Sequence, residues 1–355
     1  MKIIIDAMGG DNAPGEIVRG AVEAAAHTES KLVLVGDQAK IEACLQECQT
    51  NSRLFEIVHT EETISMEDDP LSILRAKKNC SMGVGLRLLK EDGDAFISAG
   101  NTGALHAGSS LIIRSVKGLQ RSAITTLLPF ERPCLLLDCG ANVTVTADYL
   151  EQWAILGSLY MQHVMQVQDP VVGLLNNGTE ECKGTPIQVN AYQKLKANEA
   201  VHFHGNIEGK EIPSGLCDVL VTDGFTGNIT LKMLEGMTKF FFGQLKNLYT
   251  QNMVTKLSYL AMKDQLRGLK RSFDASEYGG APLLGLQKPV IKAHGSSDAR
   301  AIRNAVRQAE AFISTGVIGK MEEQMKKYDR SVLRNNAEAK SQTADQPTEH
   351  KGDPQ

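Results

Sequence analysis

Side chains able to hold or polarise an anion recur in this sequence at one kind of place, a glycine-rich turn that follows a β-branched run. Asp6, Gly9, Gly10, Asp11 and Asn12 close KIIIDA and its turn, Asn101 and Thr102 follow AFIS, and Asp138, Gly140 and Asn142 close CLLLD and its turn. Thr179, Glu180 and Lys183 follow VVGLL, Asp223, Thr226 and Asn228 follow DVLVT, and His294, Ser296 and Asp298 follow PVIKA. Glycine lets backbone N–H groups come close to a ligand, and a helix N-terminus offers free N–H groups to negative charge. Taken singly, each of these residues serves equally well as a helix N-cap or a turn former. Repeated through one chain, they point to an anion or phosphate site. Lys183 is the cation within the turns, a natural counter-charge for phosphate or a developing oxyanion.

The elements that must position them alternate. Short apolar runs, read as strands, are followed by helical patterns, which predicts a mostly parallel sheet with helices on both faces. The strands are continuously apolar, as strands covered on both faces are. In such sheets ligands bind beyond the carboxyl ends of the strands, where these turns lie. Residues 229–271 stand apart and predict two helices joined by a short apolar turn, with Leu231, Leu234, Phe241, Leu245 and Leu248 at helical spacing. In the second helix Lys256, Lys263, Arg267, Lys270 and Arg271 face a lone Asp264. A basic amphipathic segment suits a membrane surface, an acidic partner or a dimer interface, and a core helix with a solvated face fits the pattern as well. The length allows about two domains or one large α/β domain. The tail 331–355, without aromatics, is expected to be disordered.

Composition narrows the classes. The chain has 355 residues, enough for a large core, with 38 basic and 42 acidic side chains and a formal charge of −4. That balance, with only 5% aromatics, argues against nucleic-acid binding by charge or base stacking. The 7 cysteines form no CxxC pair, so reduced thiols in the cytosol are expected, with Cys139 and Cys182 as inert buried thiols. No P-loop, HExxH or GxSxG motif is present. No run of apolar residues is long enough to span a bilayer.

The ordered series IIIDAMGGDNAP, SAGNTGA, LLDCGAN, GTEECKG, TDGFTGN, YGGAPLLG and HGSSDA, spread over roughly residues 1–320, resembles the bacterial phosphate acyltransferase family, PlsX. The resemblance implies a single three-layer α/β/α domain over residues 1–330, like that of isocitrate/isopropylmalate dehydrogenases and phosphotransacetylases, in a homodimer; no residue demands a metal or cofactor, and none is expected. It implies the reaction of acyl-acyl-carrier protein with inorganic phosphate to give acyl phosphate and free carrier. The product would feed a membrane glycerol-3-phosphate acyltransferase in phospholipid synthesis, which places the protein in the cytoplasm and peripherally at the membrane's inner face. It makes Lys183 and Asn228 the catalytic pair. Asp6, Gly9, Gly10, Asn12, Asn101, Thr102, Asn142, Asp223, Thr226 and Ser296 would shape the phosphate and acyl end of the pocket, and Asp138 would brace neighbouring turns. The hairpin would supply membrane or carrier contacts through Lys256, Leu257, Leu260, Lys263, Arg267 and Arg271.

The residues permit this chemistry. Phosphate is already nucleophilic at neutral pH, and a thiolate, with a thiol pKa of about 8.5, leaves readily, so no catalytic triad is needed. One departure stands out: Thr185-Pro186 follows Lys183-Gly184 where the family pattern has Asn-Glu. Rival readings are a coenzyme A-dependent phosphate acetyl- or butyryltransferase, a nicotinamide-dependent decarboxylating dehydrogenase, a non-catalytic membrane scaffold, and a ping-pong enzyme using Cys139 or Cys182.

Overall fold

The computed structural model describes residues 1–272, 277 and 279–329, the side chains of 270–272 excepted. The expectations for the tail 331–355 and for the Arg271 side chain therefore lie outside the described residues. The first part of the chain runs β1 (Lys2–Asp6), α1 (Gly15–Ala25), β2 (Lys31–Gly36), α2 (Gln38–Glu47), β3 (Glu56–His59), α3 (Ser81–Glu91), β4 (Ala95–Ser98) and α4 (Thr102–Gly108). The middle runs β5 (Ala123–Leu128), β6 (Cys134–Leu137), α5 (Ala147–His163), β7 (Val171–Asn176), α6 (Pro186–Ala197), β8 (His202–Glu208) and β9 (Val219–Val221). Then come α7 (Gly224–Thr250), α8 (Met253–Ser272), β10 (Ala281–Leu284), β11 (Val290–Lys292) and α9 (Ala299–Ser314), and residues 317–329 are helical again.

One 11-stranded sheet, ordered β3-β2-β1-β4-β11-β10-β5-β6-β9-β7-β8, runs through the described residues. It is parallel from β3 to β11 and again from β6 to β8. Between these blocks three antiparallel pairings, β11–β10, β10–β5 and β5–β6, reverse the polarity. At roughly 20–25° of right-handed twist per strand, the two blocks do not lie in one plane.

The alternation of strand side chains makes the three layers. Ile3 and Ile5 pack with Ile17 and Val18 of α1 and Ile302 of α9, whereas Ile4 points to the opposite face with Met82 and Leu86 of α3. The second block repeats the scheme: Leu135 and Leu137 meet Trp153 and Leu156 of α5, and Leu136 meets Leu220 and the half-buried Leu231 and Leu234 of α7. Burying each such side chain contributes about 1.5–3 kcal/mol.

The hairpin differs from the expectation in two ways. α7 begins at Gly224, five residues before the predicted start, because Asp223 caps it, and the joint between α7 and α8 is the polar pair Gln251-Asn252 rather than an apolar turn. Cys139 is buried, but Cys182 is exposed, since it stands on the turn after β7 and no element covers it. No helix among the described residues is long and apolar enough to cross a membrane.

Candidate active site

The residues singled out from the sequence fall into two groups. The first lies beyond β1, β4 and β11. Asp6 is buried, accepting from Ser98 Oγ at 2.7 Å and Met8 N at 3.2 Å. Gly9 and Gly10 let this turn lie against Gly100 and Ala99, and Asp11 N donates to Gly295 O at 2.8 Å. Asn12 Nδ2 reaches the carbonyls of Ser296 and Ser297, and Ser296 Oγ sits 2.9 Å from His294 Nδ1. Asn101 caps α4 through Ala104 N and ties down the 65–68 loop by donating to Ser65 O and Met66 O. Thr102 is exposed beside it. Most of these side chains are thus occupied in bracing the turns, whereas Thr102 and Asp11 are exposed.

Lys292, the last residue of β11, is a member of this group that the sequence reading passed over. It is 8% exposed and donates to Ala99 O and Ala293 O, tying the turns after β4 and β11 together. Its signal was a lone lysine at the end of an apolar run. Burial pushes its ammonium down to about 8, against the pull of Asp6 and Asp11. The unfolded chain keeps that proton to about pH 10.4, so between roughly pH 8 and 10 the unfolded state binds more protons and stability from this group rises with pH. Lys292→Met should remove that rise, worth about 3 kcal/mol in full. Denaturant midpoints at pH 7, 8.5 and 10 check it, and the same pH slope in both proteins would refute the assignment.

The second group lies beyond β6, β7 and β9. Asp138, fully buried, is its hub: Oδ1 accepts from the backbone of Ile124, Gly140 and Ala141, and Oδ2 from Asn142 N at 2.6 Å and Asn142 Nδ2 at 2.9 Å. Asn142 O in turn accepts from Gly224 N at 2.8 Å, which seats the start of α7. Gly227 makes the approach possible, since a Cβ there would stand 1.9 Å from Asp138 O. Asp223 spends both carboxylate oxygens on Thr226 N and Thr226 Oγ1, so these two residues cap α7. Two positions after Thr226, within α7, Asn228 is exposed and its amide lies over Gly140, where a Cβ would sit 3.6 Å from Nδ2.

Lys183 stands on the turn after β7, the strand next to β9, about 4.8 Å away by strand spacing. It is exposed, and its ammonium has no partner among the described residues. The Thr185-Pro186 departure leaves α6 well started: Thr185 and Gln188 form a capping box and Pro186 takes the first helical position, where its missing N–H is no loss. A link from the second group to α4 runs through Ser122, whose carbonyl receives Asn142 Nδ2 at 2.9 Å and lies 3.4 Å from His106 Nε2. Among the described residues no cluster of three or more His, Cys, Asp or Glu side chains is arranged to hold a metal.

The exposed lysine thus stands on the turn after β7, and the exposed amide near the start of α7, the helix that follows the adjacent strand β9. Residues 1–320 match the family model described as a fatty acid synthesis protein. A phosphate acyltransferase from Thermoanaerobacter pseudethanolicus is 43% identical over 328 residues, covering 92% of this chain and 97% of the relative. The chain belongs to the phosphate acyltransferase family. A second phosphate acyltransferase, from Geobacillus thermodenitrificans, is 44% identical over 92% of this chain and 99% of its own length. Membership makes the protein an acyltransferase. Among solved structures, a phosphotransacetylase from Streptococcus pyogenes superposes with a TM-score of 0.62 at 18% identity, covering 88% of this chain and 94% of that one, a likeness of fold. The phosphate acyltransferase fold is thus the phosphotransacetylase-related one that the motif series implies.

Proposed function

We propose that this protein transfers a long-chain acyl group from acyl-acyl-carrier protein to inorganic phosphate. A phosphate oxygen attacks the thioester carbonyl, the tetrahedral intermediate collapses with cleavage of the C–S bond, and the carrier thiolate leaves and takes a proton from solvent. Lys183 offsets the charge of phosphate and of the oxyanion, and Asn228 Nδ2 donates to the reacting oxygen. The observation that carries this reading is the Lys183 ammonium, unpaired among the described residues on the turn after β7, one strand from the exposed Asn228 amide near the start of α7, whose first residue is seated by Asn142. Such fixed donors suit a reaction whose nucleophile and leaving group need no activation.

The helical hairpin supports the proposals on partners. Phe225, Ile229, Met233, Met237, Phe240, Phe241 and Leu248 form an exposed apolar stripe on one side of α7, a face suited to a second copy in a homodimer. On α8, Leu257 and Leu260 are exposed beside Lys256, Arg267 and the half-buried Lys263, a mixture suited to an anionic membrane surface or an acidic carrier. An acyl phosphate made there would pass to a membrane acyltransferase of phospholipid synthesis.

The test is phosphate-dependent release of free thiol from palmitoyl-acyl-carrier protein, with palmitoyl-coenzyme A alongside. Turnover of the carrier thioester that requires phosphate is expected; turnover of the coenzyme A thioester alone would move the reading to a phosphotransacylase. For the hairpin, Leu257→Asp with Leu260→Asp should lower co-sedimentation with anionic phospholipid vesicles at least 10-fold, the loss of two apolar side chains being worth more than one decade. Unchanged sedimentation would remove α8 from the membrane contact.

A further inference from the structure

The turn that carries Lys183 is held at both ends by amides that the reading above does not use. Lys183 N donates to Glu180 O at 3.1 Å, which closes the turn. Asn206, from the neighbouring strand β8, donates through Nδ2 to the same Glu180 carbonyl at 2.8 Å. Asn176, the last residue of β7, donates through Nδ2 to Lys183 O at 3.1 Å, and its Oδ1 accepts from Asn177 N at 2.8 Å. The segment between Glu180 and Lys183 is therefore clamped at its first and last carbonyls. The lysine stem crosses Gly178, where a Cβ would stand 2.8 Å from Lys183 Cγ and 3.1 Å from Cδ.

This is an unusual amount of restraint for an exposed lysine, whose ordinary state is a freely rotating solvated chain. Asn206 adds a second sign. It is 4% exposed, and its Oδ1 is buried with no hydrogen-bond partner among the described residues. Turning the amide over would set Oδ1 against the Glu180 carbonyl, so the orientation is fixed by acceptor–acceptor repulsion. A buried amide with one unsatisfied atom destabilises the fold relative to an apolar residue of similar size, and groups retained at such a cost collect at functional sites.

We propose that Asn206 and Asn176 are positioning residues for Lys183: they fix the backbone at the two ends of its turn, so that the ammonium meets the reacting oxygens from one direction. The proposal rests on the charge-stabilising role of Lys183. Its physical basis is preorganisation. A donor that stabilises transition-state charge acts only if it is already in place, and a displacement of about 1 Å can lower the rate on the order of 10²-fold.

The experiment is a mutant cycle in the thiol-release assay. Asn206→Ala and Asn176→Ala are made singly in the wild-type chain and in Lys183→Ala, whose residual rate is read at raised enzyme concentration. Each asparagine variant is expected to lower kcat about 10–100-fold, with KM for the acyl substrate within about twofold, and to change kcat less than about twofold once Lys183 is gone. Hydrogen exchange of the 180–184 amides should quicken in both variants, a readout that needs no activity. A kcat loss that multiplies in full on the Lys183→Ala background overturns the proposal, because the amides then act independently of the lysine. Unchanged kcat or unchanged exchange overturns it too. Wild-type turnover by Lys183→Ala alone would instead remove the role of the lysine, and it is read before either asparagine is changed.

Discussion

Lys183→Ala is expected to lower kcat about 10²–10³-fold, the usual effect of removing one donor that stabilises an oxyanion. The same substitution should leave the thermal midpoint within about 2 °C. Lys183 is exposed, its ammonium holds nothing among the described residues, and the contacts that shape its turn come from its backbone. Surface changes of this kind stay within about 0.5 kcal/mol, which in a chain of this size moves the midpoint little. KM for phosphate should rise as well if the ammonium binds the ground-state anion, whereas a loss confined to kcat would place it on the oxyanion alone. Either split keeps the lysine in the reaction. A variant with wild-type kcat and KM would take it out, and Asn228 would then have to be tested as the sole donor.

The frame was legible where local pattern and tertiary burial agree. The apolar runs of β1, β2, β4, β6, β7 and β9 announce strands because both their faces are covered. β5 and β10 carry no such signal. AITTLL has two threonines, one of them, Thr125, buried through a bond to Pro282 O, and APLL is short and begins beside glycine. These are the strands that reverse the polarity of the sheet, and a pairing between segments more than 150 residues apart leaves no trace in local periodicity. The turns were legible as turns, but the use each side chain is put to was not. Asp223 and Asn101 look like ligand residues and are N-caps, while Lys292 looks like a stray charge in a strand and ties two turns together. Capping competes with ligand binding for the same short polar side chains, so residue type alone cannot separate them. Lys183 is the reverse case: its charge has no structural work among the described residues, so its type alone did not mislead.

Asp138 should give the largest loss of stability, and the two substitutions to compare are alanine and asparagine. Asp138→Ala orphans five donors at once, four backbone N–H groups and the Asn142 amide, around a fully buried carboxylate. A loss of about 4 kcal/mol or more is expected, since each buried unsatisfied donor costs about 1–3 kcal/mol and relaxation recovers only part. Asp138→Asn is the sharper instrument. Its remaining oxygen can still serve Ile124, Gly140 and Ala141, but its new NH2 group faces Asn142 N and Asn142 Nδ2, a donor set against two donors. Asn142 must then move, and with it the carbonyl that seats Gly224 and the start of α7. Asn228, one turn along that helix, moves too. Asp138→Asn is therefore expected to lose about 2 kcal/mol by denaturant midpoint and at least 10-fold in kcat, the second through displacement of Asn228 rather than unfolding. Gly227 leaves α7 no slack to absorb the shift, because it already lies against the Asp138 backbone. An Asp138→Asn protein with normal kcat would mean that Asn228 holds its place without the Asn142 link, and the hub would then be a structural feature alone.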